Sequence, residues 1–370
     1  MKARIVHLTT THARDEVRIF HKECNSIAKD GYDVHLISAD GKGFDEVNGV
    51  KRHGAQKTCG RFQRVFIQPW QMYLVARRLH ASLYHLHEPE LLLIALFLKR
   101  KGVRIVYDSH EDVPRAVMGR DWIHPLLKKI ASLFFEVFED FIVRRISAVI
   151  AATPHIAQRF SKVNSQTITV NNFPLISEMY EVPLKPCGNG RTICYIGGIS
   201  RIRGLFEIIQ ALEYVDSRMV MAGPFEDVKT ELSATKLTGW SKVDYRGRIS
   251  RSDVYQLMSQ SRAGLLIFHP EPNHVNAQPN KMFEYMSAGL PVIASHFPLF
   301  REIIEGNKCG LCVDPLNPSE IAKAIDYILT HPEEAQRMGE NGLKAVKEQY
   351  NWDIEEKKLL ALYEQLLNKA

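Results

Sequence analysis

Long apolar runs are missing from this 370-residue chain: the longest clean one is Leu91 to Leu98, far below the roughly 20 residues a membrane-spanning helix needs. A basic-led apolar leader with a small-residue cleavage site is also missing. Met1-Lys2-Ala3-Arg4 passes at once into a strand-like run, so secretion is not expected and a cytoplasmic location is. The six cysteines are scattered at 24, 59, 187, 194, 309 and 312, which excludes a disulfide framework and fits a reducing compartment. Cys309 and Cys312 form a CxxC without a second pair, in a segment that reads as a turn and a buried strand rather than a redox or zinc motif. No Gly-x-Gly-x-x-Gly follows the first strand-like run. Thr9-Thr10-Thr11 stands there instead, against an NAD-dependent dehydrogenase. Zinc-finger, RNP-type and recognition-helix patterns are lacking too, so no nucleic acid partner is expected.

What is present is a globular composition, 45% apolar and 24% charged, long enough for two domains. Charge is unevenly placed: residues 1 to 185 carry 27 Lys and Arg against 19 Asp and Glu, leaving the remainder slightly acidic. Lys51, Arg52, Lys57, Arg61 and Arg64 have no acid between them, and Arg77 and Arg78 follow. Such a patch suits anionic lipid or a pyrophosphate-bearing acceptor.

Strand-like and helix-like runs alternate along most of the chain, the pattern of parallel sheets with crossover helices. Strands are expected at 4–8, 33–37, 82–86, 104–108, 148–151 and 167–170, with helices over 15–30, 88–101 and about 122–146. Asn171-Asn172-Phe173-Pro174, Pro183, Pro186, Gly188 and Gly190 mark a linker. A second alternating series then begins at Arg191 and reaches Pro291-Val292-Ile293-Ala294. The expected fold is α/β: two Rossmann-like doubly wound domains, 1–175 and 186–350, facing across a cleft, with a helix at about 352–370 that packs back on the first. Open sheets of this kind bind ligands beyond the carboxyl ends of their strands.

The loops there carry chemistry. Thr9-Thr10-Thr11-His12-Ala13-Arg14-Asp15 follows the first strand, and Ser109-His110-Glu111-Asp112 follows the strand ending at Asp108. Gly197-Gly198-Ile199-Ser200-Arg201-Ile202-Arg203-Gly204 follows the first strand of the second half, where glycines let backbone approach a ligand and arginines offer forked phosphate donors. Further on, Asn280 and Lys281 open a helix, so amide N–H groups, the helix dipole and an ammonium can converge on a diphosphate, with Glu284 one turn on and able to accept from a ribose diol. His85 and His87 form a His-x-His on one strand face, but no third ligand is near in sequence, so no metal is expected.

The run Tyr195-Ile196-Gly197-Gly198 through Arg203-Gly204, with the block from Asn280-Lys281 to Ala294, resembles the retaining GT-B glycosyltransferases of family four, the "glycosyl transferases group 1" domain. Arg14-Asp15 to Lys22-Glu23, Tyr107 to Glu111, Asn171-Asn172-Phe173-Pro174 and Tyr350-Asn351-Trp352 are similar as well, so the likeness covers nearly the whole chain. The resemblance implies an acceptor-binding first domain and a donor-binding second one. It implies diphosphate contacts from Arg203, Lys281 and the backbone at Asn280, with Gly197, Gly198, Arg201, Asn276 and Gln278 beside them. It places Glu284 on the donor ribose, His110 on the reacting sugar, and Gly247, Arg248 and Ile249 at the base. His12, Arg14, Asp15 and Glu111 are the acceptor-side candidates. Two positions depart from the family pattern: Asn276 replaces the first glutamate of E-x7-E, and Gly197-Gly198 stands where many members have Gly-Arg.

The implied reaction moves a sugar, with retention and without a metal, from a UDP- or GDP-linked donor to a glycan or lipid-linked acceptor in surface polysaccharide or glycoconjugate biosynthesis. No cofactor is implied, and the Asp-x-Asp of the metal-using glycosyltransferase fold is absent. A sugar-nucleotide 2-epimerase and a non-catalytic sugar-nucleotide binding subunit share these features. Between Trp122 and Arg145, apolar residues at helical spacing (Leu126, Leu127, Ile130, Leu133, Phe134, Val137, Phe138, Phe141 and Ile142) read as a core-facing helix. Their basic neighbours Lys128, Lys129, Arg144 and Arg145 also allow a helix at a membrane interface.

Overall fold

The computed structural model describes residues 2–118, 124–176 and 190–368, so Trp122 and the Pro183-to-Gly188 part of the linker lie outside the described residues. The chain divides into two compact units, 1–172 with 352–370, and 173–351.

The first unit is built on strands β1 (Arg4–Thr9), β2 (Asp33–Ser38), β3 (Asp45–Val47), β4 (Val50–Gly54), β5 (Leu83–Leu86), β6 (Arg104–Ser109), β7 (Ala148–Ala151) and β8 (Thr167–Thr169). They lie in the order β3-β4-β2-β1-β5-β6-β7-β8, parallel except for β3 against β4. That edge hairpin turns at Asn48-Gly49, both with positive φ (54° and 77°), the two-residue turn whose twist matches paired strands. The central strands are buried on both faces, hence their near-continuous apolar character. One face carries Val6, Leu8, Leu86, Ile105 and Tyr107 into the main core. Strand alternation sends His7, His85 and Asp108 to the other face, and register sets His7 opposite His85.

That second face is covered by two segments. The helix expected over 15–30 is wound as a π-helix over Val17–Cys24 and becomes α-helical only over Asn25–Lys29. Its first turn carries an i→i−5 bond from His21 N–H to the Glu16 carbonyl, and it buries Arg18, Lys22 and Glu23. Wide turns of this kind are frequent at functional sites. The Trp352–Asn368 helix belongs to the same unit: Trp352 Nε1 donates to Ser26 Oγ (2.9 Å), and Glu355 accepts from the Asn171 backbone N–H (2.9 Å).

The Pro125–Val143 helix corrects the core-facing expectation. Ile142 and Val143 are buried and Phe138 packs on the core, but Leu126, Leu127, Ile130, Leu133, Phe134, Val137 and Phe141 are 49–68% exposed. The period announces an apolar face, and only a narrow edge of it joins the core.

The second unit holds β9 (Thr192–Ile196), β10 (Arg218–Ala222), β11 (Val243–Tyr245), β12 (Gly264–Leu266), β13 (Val292–Ser295) and β14 (Gly310–Val313), in the order β11-β10-β9-β12-β13-β14 and wholly parallel. Apolar clusters cover both faces, one including Ile193, Leu265 and Ile325, the other Cys194, Leu266 and Phe283.

Candidate functional site

In the second unit the carboxyl ends of β9, β10 and β11 meet through glycines. Gly197 N–H donates to the Ala222 carbonyl (2.8 Å) and Gly223 N–H to the Gly247 carbonyl (2.7 Å). Gly223 has φ +142°, and a Cβ there would lie 1.9 Å from the Gly197 carbonyl oxygen, so only glycine allows these backbones to stack. The result is a floor of bare backbone. Arg248 is exposed beside it, and Ile249 leans on the core.

Above that floor stand two cations. Arg203, in the Arg201–Arg203 turn, donates from Nη1 to the Gly198 carbonyl (3.1 Å), with its guanidinium 5.8 Å from the centre of the Phe268 ring. A Cβ on Gly198 would fall 2.5 Å from the same Nη1, so the glycine makes room for the arginine. Lys281, in the first turn of the Asn280–Ser287 helix, lies with Nζ 4.2 Å from the Tyr195 ring centre and 5.2 Å from that of Phe268. The stem is partly exposed, yet Nζ itself is out of water and has no hydrogen-bond partner. Burial, reinforced by the Arg203 charge, pushes its pKa down to about 7.

Pro279 starts this helix with no side-chain cap: Met282 N–H bonds the Pro279 carbonyl (3.0 Å), and the Asn280 and Lys281 amides have no capping side chain. Gln278 places a buried, unpartnered Oε1 nearby in the chain. Glu284 and Asn276 are partly buried, while Asn280 and Arg201 are exposed. Gly197, Gly198, Arg203 and Lys281 are therefore brought together. Sequence reasoning missed the aromatic walls Tyr195 and Phe268, and Gly223, because each reads as strand or strand end.

In the first unit the loop after β1 closes on Glu88. That carboxylate accepts from Thr9 Oγ1 (2.5 Å), the Thr10 N–H (2.9 Å) and Thr11 Oγ1 (3.0 Å), and His12 Nε2 lies 3.8 Å away. The His12 and His110 rings are 5.5 Å apart. His110 Nε2 bonds Asp108 Oδ2 (2.9 Å), and behind it His87 Nδ1 is 3.3 Å from the same Nε2. Arg18 anchors this ensemble, donating to both Asp108 oxygens (2.9 and 3.1 Å) and to the Val170 carbonyl (3.0 Å). Burial opposes a charged Asp108, but Arg18 first and His110 second hold its pKa well below the usual carboxylate range. Burial drives His7, His85 and His87 down, and drives Glu23 up with help from the Asp108 charge.

Of the acceptor-side candidates, His12 meets His110, the residue expected on the reacting sugar, and Asp15 and Glu111 are exposed. Arg14 is buried and committed to Asp40 (2.6 and 2.9 Å) and Asp45 (3.1 Å), which ties the β1 loop to the chain after β2. Glu88 was missed, although it sits at a strand end like the loops that were singled out. The basic stretch is partly neutralised: Lys51 pairs with Asp33 (2.8 Å), Arg52 with Asp45 (2.7 Å), and Arg64 lies 3.5 Å from Glu90. Among the described residues no helix is long and apolar enough to cross a membrane.

Comparison with known proteins adds two family matches: "Glycosyl transferases group 1" over residues 182–345 and "Glycosyltransferase Family 4" over residues 17–171. Spore coat protein SA of Bacillus subtilis is 25% identical over 196 residues, 47% of this chain and 48% of its own length. In such matches the chain spans less than half the length of the curated relative. Sucrose-phosphate synthase from Thermosynechococcus elongatus superimposes with a TM-score of 0.80 at 16% identity, over 100% of both chains. Anabaena HepE in complex with UDP-glucose gives 0.73 at 14% identity, over 98% of this chain and 100% of its own. At these identities the solved structures speak for the fold, which is GT-B.

Proposed function

Because the chain belongs to the group 1 glycosyltransferases, we propose that it transfers a sugar, with retention and without a metal in the reaction, from a UDP- or GDP-linked donor to a glycan or lipid-linked acceptor. One observation carries this reading: the Lys281 ammonium is held out of water without a hydrogen bond, beside Arg203 and over a floor of glycine backbone. An ammonium left so is costly unless an anion completes it. A nucleoside diphosphate does so, and HepE, of the same fold, is known with UDP-glucose. Arg203, Lys281 and the first-turn amides of the Asn280–Ser287 helix neutralise the leaving diphosphate, whose oxygen takes the acceptor proton. Glu284 holds the ribose. Asn276, an amide, hydrogen-bonds the donor sugar without adding negative charge. In the first unit His110, oriented by Asp108, and His12 serve the sugar and acceptor.

The exposed strip of the Pro125–Val143 helix supports a lipid-linked acceptor. Beside it, Lys99 Nζ donates to the Arg145 carbonyl and the Arg145 guanidinium lies 3.7 Å from the Phe141 ring centre, so two short basic runs, the exposed Lys99-Arg100-Lys101 and Arg144-Arg145, meet at that end of the strip. An apolar stripe with a basic rim matches an anionic bilayer surface. Co-sedimentation with phosphatidylglycerol vesicles is expected for the wild type and lost in Phe134→Glu; binding equal in both contradicts this docking.

The function is tested by a thermal-shift panel of UDP, GDP, CDP, ADP and their sugar conjugates on wild type, Arg203→Ala and Glu284→Ala. A ligand of the folded state raises the melting temperature by mass action. One nucleotide family should stabilise the wild type and lose its effect in both variants. No shift with any nucleotide at millimolar concentration contradicts the proposal.

A further inference from the structure

The face of the first sheet that carries the histidines has a second property, unconnected with the donor site. His7, Glu23, His85 and His87 each offer one ligand atom, all within 4.8 Å of one another, and all four residues are buried. We infer that they form a closed four-ligand site for a divalent transition metal, with zinc the best match to three imidazoles and one carboxylate.

The spacing fits. His7 Nδ1 and His87 Nε2 are 2.9 Å apart and each is 3.9 Å from Glu23 Oε2, while ligands around a tetrahedral zinc lie roughly 3.3 Å apart for bonds near 2.0 Å. Hydrogen bonds alone do not account for the cluster. His85 Nε2 and both Glu23 oxygens make none, although Arg18 Nε lies 3.1 Å from Glu23 Oε1.

The outer nitrogens are those a metal site requires. The Tyr363 hydroxyl contacts His7 Nε2 (3.3 Å) and His85 Nδ1 (2.5 Å), and Asp108 Oδ2 lies 3.3 Å from His87 Nδ1. Each histidine thus keeps one nitrogen for the ion and fixes its ring with the other. Arg18 against Glu23 and Asp108 leaves one negative charge to offset a divalent ion. A smaller group, His87, Asp108 and His110, shares His87 but has a partly exposed member. The four-ligand site is the closed one and its role is structural: it clamps β1, β5 and the π-helix, and fixes the His87 ring behind His110.

The test uses the full chain prepared without a metal-affinity tag. Metal content is measured as purified, then the protein is stripped with dipicolinate and titrated with Co²⁺ and with Zn²⁺. One equivalent is expected, with the strong visible absorption of four-coordinate cobalt and a raised melting temperature with zinc. Glu23→Gln and His85→Gln should lose stoichiometric binding while keeping the nucleotide-induced thermal shift of the second unit. Should these variants not fold, Tyr363→Phe decides: it should bind with roughly 10–100-fold lower affinity. No stoichiometric uptake by the wild type, or uptake unchanged in the folded variants, overturns the site. The nucleotide shift is read separately, so failure of the metal site and failure of the donor site are distinguishable.

Discussion

In the first unit buried or nearly buried cations face carboxylates: Arg18 lies against Asp108 and Glu23, Arg159 between Asp112 and Glu139, and Arg14 against Asp40 and Asp45. In the second, Lys281 Nζ is equally withdrawn from water but has aromatic rings and a second cation around it, and the Glu284 charge offsets only part of that cost. The two arrangements use opposite electrostatics. A cluster in which each cation has its carboxylates holds loops in place without a bound anion. An uncompensated one lowers stability until an anion arrives, and that is the signature of a binding site.

The largest effect should come from breaking compensation in the first unit. Arg18→Met leaves Asp108 and Glu23 buried without their cation, and is expected to cost about 3–5 kcal/mol in urea unfolding. Nucleotide-induced stabilisation of the second unit should persist as long as the protein folds. A loss under about 1 kcal/mol would mean that the cluster is not the anchor described.

Lys281→Met makes the converse case. Nucleoside diphosphate affinity should fall about 100-fold, since truncating one partner of a buried charge pair costs about 2–5 kcal/mol. The unliganded protein should melt no lower than wild type, because an unsatisfied ammonium has been removed. A marked drop in melting temperature would place Lys281 among the compensated groups.

Smaller effects distinguish the glycines. Gly223→Ala brings a Cβ against the Gly197 carbonyl at positive φ and should cost about 1–3 kcal/mol of stability. At Gly198 the new Cβ meets only the mobile end of Arg203, so Gly198→Ala should leave stability nearly unchanged and weaken nucleotide binding. Equal stability losses would show that both glycines are merely structural.

These contrasts were unevenly legible in the sequence. The parallel strands were visible because their apolar runs are set by burial on both faces, and Gly197, Gly198, Arg203 and Lys281 because strand-end loops and helix starts are local features. The β3–β4 hairpin was signalled by Asn48-Gly49 and passed over. Periodicity revealed the apolar face of the Pro125–Val143 helix but not what covers it, since that depends on neighbours distant in sequence. Lys51 and Arg52 looked like a free basic patch because Asp33 and Asp45 reach them only through strand pairing. His7 lies 80 residues from His87, so no spacing rule joins them; only the β1–β5 register does.

The claim that Lys281 waits for a diphosphate makes it a titrating group near neutrality. Its pKa stands near 7 in the folded unliganded protein and at 10.5 in an ordinary environment. The unfolded chain therefore binds more protons between those values, and stability should rise with pH across that window, by a slope that Lys281→Met removes. A bound diphosphate restores the charged form, so binding at pH 8.5 must take up a proton. Calorimetric titration of UDP or GDP, whichever stabilises more, in buffers of low and high ionisation enthalpy measures this directly. Uptake of nearly one proton by the wild type, absent in Lys281→Met, is the result predicted; tight binding without proton uptake, or unimpaired binding by the variant, would contradict it.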